Sequence, residues 1–552
     1  MPLIVKCSSQ LSNFIFCSHF PKHLLHLLLL GFSISRYQGV LCCLFSVFFS
    51  LLITVMSPGI ESGVLLDSEE GRILSNDGFI HGFLRRLPLK EVAEELRLLG
   101  KIAWPVVITT LLLHSKSIVS MLFLGHLGNS ELAGGSLAIS FANVTGFSVI
   151  KGLSMGMEPI CCQAYGAKRW SVLTQTFQRT LCLLLLAAIP ISVLWLNMEP
   201  LLLLLGQDPD ITQLAKLYLQ FSIPELMAQV HFQPLRVFLR AQCITKPLSF
   251  VSAFGLILHL PINYFLVIHL GLGVKGVALA SACITMNLNL ALLLYLVVSK
   301  TILKPWDEMT ILSLSKGWKP VLALAMPSVV AVCLEWWWYE IMLFLCGLLH
   351  NPFATMAAMG ILIQMAGLLY VFPHALSLGL STRIGHELGA GQASRARRTT
   401  VIGLAVAVAL GMTAFGFTTL ARYAWGKMYT SEPETLTLVS IALPILGFCE
   451  VGNCPQTAAC GVLRGSARPK TGAQINFIAF YIIGLPVAII MAFVFKIGFL
   501  GLCFGLIAAQ ASCMCMMVYE LVQTDWKHQV KRAAELTRVA DETDHLKTSL
   551  LS

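Results

Sequence analysis

The stretch Ser154-Met155-Gly156-Met157, followed by Gln163-Ala164-Tyr165-Gly166-Ala167, has an echo in the same chain. Ser377-Leu378-Gly379-Leu380 is followed by His386-Glu387-Leu388-Gly389-Ala390. The correspondence extends outward, so that residues from about 103 to 298 return some 222 to 225 positions later, from about 325 to 522. Ala103-Trp104-Pro105 and Ala325-Met326-Pro327 each open a long apolar run. Both copies carry Leu-Arg before a basic loop (Leu239-Arg240, Leu463-Arg464), a mid-helix proline (Pro261, Pro486) and a Gly-x-x-Gly turn (Gly273/Gly276, Gly498/Gly501). Many secondary transporters are built from duplicated membrane bundles that meet across a central cavity. The repeat therefore points to transport.

Composition places the chain in the bilayer. Hydrophobic residues make up 56% and charged residues 12%, with a mean hydropathy of +0.77, far from the balance of a soluble domain. Apolar stretches of about 20 residues, the length of the hydrocarbon core, recur near 102–124, 137–160, 172–197, 211–233, 249–270, 275–298, 319–348, 354–380, 399–422, 436–460, 472–495 and 499–522. The predicted fold is an all-α membrane protein of twelve transmembrane helices in two six-helix lobes. The expected division is an N-terminal extension over 1–89, an N-lobe over 90–299, a cytoplasmic linker over 300–318, a C-lobe over 319–523 and a cytoplasmic tail over 524–552.

Basic residues orient the bundle. One set of alternate loops holds Lys168, Arg169, Arg236, Arg240, Lys246, Lys300 to Lys319, Arg383, Arg395, Arg397, Arg398, Arg464, Arg468 and Lys470. The other set offers little beyond Lys275, Arg422, Lys427 and Lys496. The positive-inside rule makes the first set cytoplasmic, together with both ends of the twelve-helix unit. The net charge of +10 is concentrated in these loops, so it reads as topology and not as a nucleic-acid footprint.

The first 55 residues contain no Asp or Glu and include a short apolar run from Val40 to Met56. Two readings fit, a signal anchor or a biological start at Met56; the repeat arithmetic disfavours a thirteenth span. Glu69-Glu70-Gly71-Arg72-Ile73-Leu74 loosely resembles an acidic dileucine sorting string, and plasma, vacuolar and Golgi or endosomal membranes all stay open. The cysteines show no metal-ligand spacing and read as small packing residues. No P-loop and no Gly-x-Ser-x-Gly elbow is present, which leaves ATP-driven pumping and serine hydrolysis without residues to carry them. The chain is not expected to be an enzyme and needs no resident metal or cofactor.

Acid inside the membrane stands out. Glu158, Glu225, Glu335, Glu340 and Glu450 fall in apolar spans, where an ionised side chain costs on the order of 2.5 to 3.5 kcal/mol and marks a functional candidate. Glu335 and Glu340 flank Trp336-Trp337-Trp338-Tyr339 in the seventh span. Removing water from a carboxyl favours its protonated form, the property a proton carrier needs. Faces of Trp and Tyr also attract organic cations.

At these residues the sequence resembles the multidrug and toxic compound extrusion (MATE) family, and within it the plant DETOXIFICATION proteins. The resemblance rests on Gly152-Leu153-Ser154-Met155-Gly156-Met157-Glu158-Pro159 leading to Gln163-Ala164-Tyr165-Gly166-Ala167, on Cys333-Leu334-Glu335-Trp336-Trp337, on Gln233-Pro234-Leu235-Arg236 and on Val462-Leu463-Arg464-Gly465. It implies two lobes in a V about a cavity that opens alternately to the two sides, and cation-coupled antiport, usually of protons in eukaryotic members. Carried over by position, it makes Glu335, Glu340 and Glu450 proton or cation ligands, with Glu335 and Glu450 side by side. In one departure, the first helix offers His114 and Lys116 in place of the acid that many prokaryotic relatives carry. Lys116 then either faces the cavity or neutralises Glu158 or Glu225.

The resulting expectation is a monomeric, proton-coupled efflux antiporter of small organic solutes, with membrane lipid around it and sodium as an alternative coupling ion. Trp336, Trp338, Tyr339, Gln163, Tyr165 and Lys116 are the expected cavity residues. Two other readings stand beside it. A flippase for lipid-linked precursors would show a strongly cationic cavity, at which only Lys116 and Lys151 hint. A sensor or scaffold that has lost transport sits poorly with the retained acids.

Overall fold

The structure is a computed structural model, and it describes residues 89–204, 207–299, 303–306 and 317–550, of which Asn129 and 539–550 by their backbone alone. The readings made on 1–88, on Lys300 and on Lys316 lie outside these residues.

Twelve long helices carry the two copies. The first half holds α1 (Leu89–Leu127), α2 (Ser130–Gly166), α3 (Trp170–Leu196), α4 (Pro209–Ala241), α5 (Lys246–His269) and α6 (Val274–Val298). The second half holds α7 (Trp318–Cys346), α8 (Pro352–Gly389), α9 (Ala393–Ala421), α10 (Pro433–Gly465), α11 (Pro469–Val494) and α12 (Phe499–Val522). A thirteenth helix, α13 (Trp526–Leu550), follows. Among the described residues, eleven helices are long and apolar enough to cross a membrane. The exception is α4, whose Lys216, Glu225, Gln229, Gln233, Arg236 and Arg240 lower its hydropathy; a helix this polar survives at membrane depth by turning those groups inward.

Local signals set the helix ends. The Asp208 carboxylate accepts from the amides of Asp210 (2.9 Å) and Ile211 (3.2 Å), with Pro209 opening α4. Pro433 opens α10 at the corresponding place. The Gly-x-x-Gly turns repeat in backbone as well as in sequence: Gly273 and Gly498 both sit at positive φ, 56° and 68°, a conformation glycine adopts without a Cβ penalty. Several helices run past the apolar windows, α1 starting at Leu89 and α8 ending at Gly389, because their basic-loop ends pack on one another instead of stopping at the bilayer surface.

Within the first half α4 packs on α2, α3 and α6, and α5 on α1 and α6. The second half repeats this, with α10 on α8, α9 and α12, and α11 on α12 and α7. The halves meet through α2 against α7 and α8, and α1 against α8. A small apolar cluster fills that seam: Val106, Val107, Met155, Val332, Val371 and Leu378. The α13 helix lies across both halves, touching α2, α3, α8 and α9.

Candidate transport site

Between the halves lies a cavity of about 600 Å³. Its walls come from α1, α2, α4 and α6 on one side and α7 and α8 on the other. In α2 the turn Asn143–Phe147 widens to a π-helical turn, and both of its end residues line the cavity. Such bulges recur at functional sites because they redirect side chains without ending a helix.

The seventh helix shows how a helical face is divided. Glu335, Trp336, Tyr339 and Glu340 all line the cavity, and at about 100° per residue they span an arc of roughly 140°. Trp337 falls outside that arc and is exposed. Trp338 falls on the opposite side, fully buried against Phe480 and Tyr481 of α11. The expectation that Trp338 faces substrate is thus corrected, because its position on the helix turns it into the C-lobe core. Glu340 is exposed at the cavity. Glu335 is half-buried, with the Tyr370 phenol of α8 directed at its carboxylate and Lys151 of α2 within electrostatic range. Lys151 itself lies over the Trp336 ring, 5.4 Å from its centroid.

Lys116 meets both descriptions raised for it. It lines the cavity, and its ammonium donates to Glu225 Oε1 (2.7 Å), the Ser281 carbonyl (3.2 Å) and Thr285 Oγ1 (3.3 Å).

Glu450 does not line the cavity. It is buried in the C-lobe, where it accepts from Asn453 Nδ2 (3.0 and 3.2 Å) and from Cys454 Sγ (3.7 Å). Gln510 Nε2 of α12 donates in turn to Asn453 Oδ1 (3.4 Å). The residues of α10 that share a pocket with Glu335 are instead Gln456, Thr457, Cys460, Leu463 and Arg464. Seven residues separate Glu450 from Thr457, about 10 Å along the helix axis. The structure therefore does not bring Glu335 and Glu450 together as the expected side-by-side pair. Tyr339 stands within electrostatic reach of both.

Gln163 and Tyr165 are also displaced from the expected cavity. They sit at the basic-loop end of α2, in the contact between the halves. Gln163 Nε2 donates to the Gly465 carbonyl (2.9 Å), and Tyr165 stacks on His386 at 4.8 Å. His386 Nε2 reaches back to the Ala241 carbonyl (2.8 Å). Here the duplicated glycines meet reciprocally. A Cβ on Gly166 would fall on the backbone of His386, and a Cβ on Gly389 on the backbone of Gln163, its repeat counterpart. Gly389→Val is accordingly expected to force this end apart and to let a membrane-impermeant reagent reach the cavity from the basic-loop side. Unchanged labelling of a cysteine introduced at the cavity residue Ser222 would contradict that.

Sequence reasoning missed what Glu158 does. This fully buried acid faces Arg240 Nη2 of its own half at 2.9 Å and Arg464 Nη1 of the other half at 3.8 Å. The two arginines are repeat counterparts, whereas the counterpart of Glu158 is Ser381. One acid in one copy thus holds an arginine from each. Nearby, Arg383 of α8 grips Glu95 of α1 through two bonds of 3.1 Å, pairs with Glu387 at 2.6 Å, and Thr399 of α9 donates to Glu95 at 2.9 Å. Apart from Ser148 with Cys333 at 3.7 Å and Lys151 over the Trp336 ring, the polar contacts between the halves among the described residues cluster at the basic-loop ends. The halves are thus fastened together on that side.

Comparison with known proteins decides what this architecture is. The family model described as MatE matches the chain twice, over residues 105–265 and again over 327–490. The chain belongs to the MatE family. Its two matches start 222 positions apart, within the offset of the internal repeat. Protein DETOXIFICATION 53 of Arabidopsis thaliana is 58% identical over 455 residues, which is 82% of this chain and 94% of that protein. Protein DETOXIFICATION 48 of the same plant is 54% identical, covering 82% of this chain and 85% of its own length. Among solved structures, the eukaryotic MATE transporter AtDTX14 superposes with a TM-score of 0.76 at 32% identity, over 81% of this chain and 99% of that one. The Vibrio cholerae MATE transporter VcmN, in its bent form, shares the fold at 17% identity and a TM-score of 0.69, over 81% of this chain and 99% of that one. As a MatE protein the chain is a multi-pass membrane transporter of the multidrug and toxic compound extrusion type and not an enzyme.

Proposed function

We propose that the protein exchanges protons for small organic solutes, by alternating exposure of the cavity to the two sides of the membrane. The observation that carries this reading is the position of Glu335. Among the described residues it is a cavity carboxyl at membrane depth with no salt-bridge partner, approached by the Tyr370 phenol and, at a distance, by Lys151 and Arg464. A carboxylate in that setting has an inexpensive way to be neutral, which is to take up a proton. Glu450 is a second candidate, solvated by an amide and a thiol and, among the described residues, in no salt bridge. Proton and solute need not touch each other for exchange. Each has to bind the two lobe arrangements unequally, and the closed basic-loop end supplies one such arrangement.

The aromatic faces of Trp336, Tyr339 and Tyr370 around the cavity support solutes with flat or cationic bodies. The test is flux in vesicles reconstituted with the full chain. An imposed pH gradient is expected to drive movement of an organic cation such as ethidium against its own gradient, and a protonophore to abolish it. Flux that ignores the pH gradient and follows a sodium gradient would overturn proton coupling.

A further inference from the structure

The helix α13 lies outside the duplicated unit. It follows the second copy, and its start is set by Asp525, whose carboxylate accepts from the amides of Lys527 (2.9 Å) and His528 (3.2 Å). The helix is amphipathic. Gln529, Ala533 and Thr537 are buried, with Trp526, Val530 and Leu536 half-buried on the same side, whereas Lys527, Lys531, Arg532 and Glu535 are exposed on the other. The covered side is divided between the halves. Trp526, Val530 and Ala533 pack in the C-lobe core, whereas Leu536, nearly three turns beyond Trp526, packs on the N-lobe cluster that holds Met157, Cys162 and Phe238. One end is anchored. Only Gln523, Thr524 and Asp525 join α13 to α12, and Arg468, just before α11, donates to Glu520 (3.1 Å) and Thr524 (2.9 Å), which fixes this elbow to the C-lobe. Parting the halves at the basic-loop side therefore takes the Leu536 end off the N-lobe while the Trp526 end stays behind.

We infer that α13 is a strap that stabilises the arrangement fastened at the basic-loop side, anchored on the second half and clasping the first through Leu536. The Glu158 and Arg383 contacts tie together charges buried between the lobes. The strap instead holds by apolar area and has an exposed, charged back, so its release leaves no buried charge unpaired. Because its clasp exists in one arrangement and not in the other, it biases their populations.

The inference rests on the alternation proposed above, and its test needs no gradient, so a failure of proton coupling leaves it untouched. Ser222→Cys supplies the reporter. Ser222 lines the cavity about 28 Å along α4 from Ala241 at the basic-loop end, so local fraying of α13 does not uncover it. A membrane-impermeant thiol reagent is applied to the basic-loop side of sealed vesicles, and modification of the introduced thiol is followed by mass spectrometry of its peptide. Leu536→Asp is expected to raise the rate about tenfold, the factor to which about 1.4 kcal/mol of lost leucine burial converts. A chain ended after Ala534, which keeps Trp526, Val530 and Ala533 but lacks the N-lobe contact, is expected to do the same. Lys531→Gln, on the exposed face, is expected to leave the rate as it is. A rate that either loss of Leu536 fails to move, or that Lys531→Gln raises equally, would overturn the strap; should one of the two fold poorly, the other decides. Glu158→Ala in the same assay separates this inference from the reading beneath it. If Glu158→Ala raises the rate where Leu536→Asp does not, the strap fails and the alternation stands, and if neither raises it both fail.

Discussion

Glu335→Gln is expected to bring gradient-driven flux down to the leak of protein-free vesicles while the protein stays inserted and folded. Glutamine keeps the length of the side chain and its reach to Tyr370, and it adds no charge to the cavity wall. What it removes is the ability to bind and release a proton, so a carrier that relies on this group loses its coupling and not its shape. Substrate binding in the absence of a gradient and the melting temperature in detergent should both remain close to those of the unaltered protein. Near-normal pH-dependent flux through reconstituted Glu335→Gln would remove Glu335 from the proton pathway.

The second large effect is expected at the closed end. Glu158→Ala leaves Arg240 and Arg464 facing each other without the buried acid that now lies between them. Breaking a buried ion pair by deleting one partner costs about 3–5 kcal/mol, because the remaining charge is left uncompensated. Here the chain has a way to relieve that cost, since parting the halves lets water reach both guanidinium groups. Cys162 reports this directly. It is buried, and Gly385 of the opposite half packs onto its Cβ. In a background lacking the exposed Cys243, the labelling rate of Cys162 by a maleimide applied to the basic-loop side should rise by roughly a hundredfold or more, the factor that 3–5 kcal/mol converts to. A rate equal to that of the parent protein would mean that the acid does not hold this end shut.

Much of the architecture was legible because duplication and hydropathy are properties of the chain itself. The offset between Ser154 and Ser377 located both halves, and the apolar windows located the helices that carry them. The candidate site was legible only in part, and the reason is geometric. Helical periodicity tells which residues share a face, but not what that face meets. Trp336 and Tyr339 were read as cavity residues and line it, while Trp338, between them in sequence, turns into the core. Gln163 and Tyr165 belong to a motif that serves the contact between halves, where reciprocal glycines bring backbones together. Glu450 lies too far along α10 from the pocket of Glu335 for the two to act as neighbours. Tyr370 had no signal of its own in an apolar span. The role of Glu158 left a trace that was open to reading: two repeat-related arginines, Arg240 and Arg464, with an acid in one copy and Ser381 in the other.

The Lys116–Glu225 pair also bears on how far such a carrier can concentrate its cargo. An ion anchored to the backbone makes no net journey across the bilayer, so the N-lobe acid adds nothing to the exchange stoichiometry. Under the exchange proposed above, the driving force then comes only from protons taken up by the C-lobe carboxyls. One proton exchanged electroneutrally across one pH unit supplies about 1.4 kcal/mol, enough for a tenfold accumulation ratio, and two supply a hundredfold. Because the anchored ion is present at every salt concentration, the proposed proton exchange would have its ceiling set by pH alone and unmoved by the surrounding sodium.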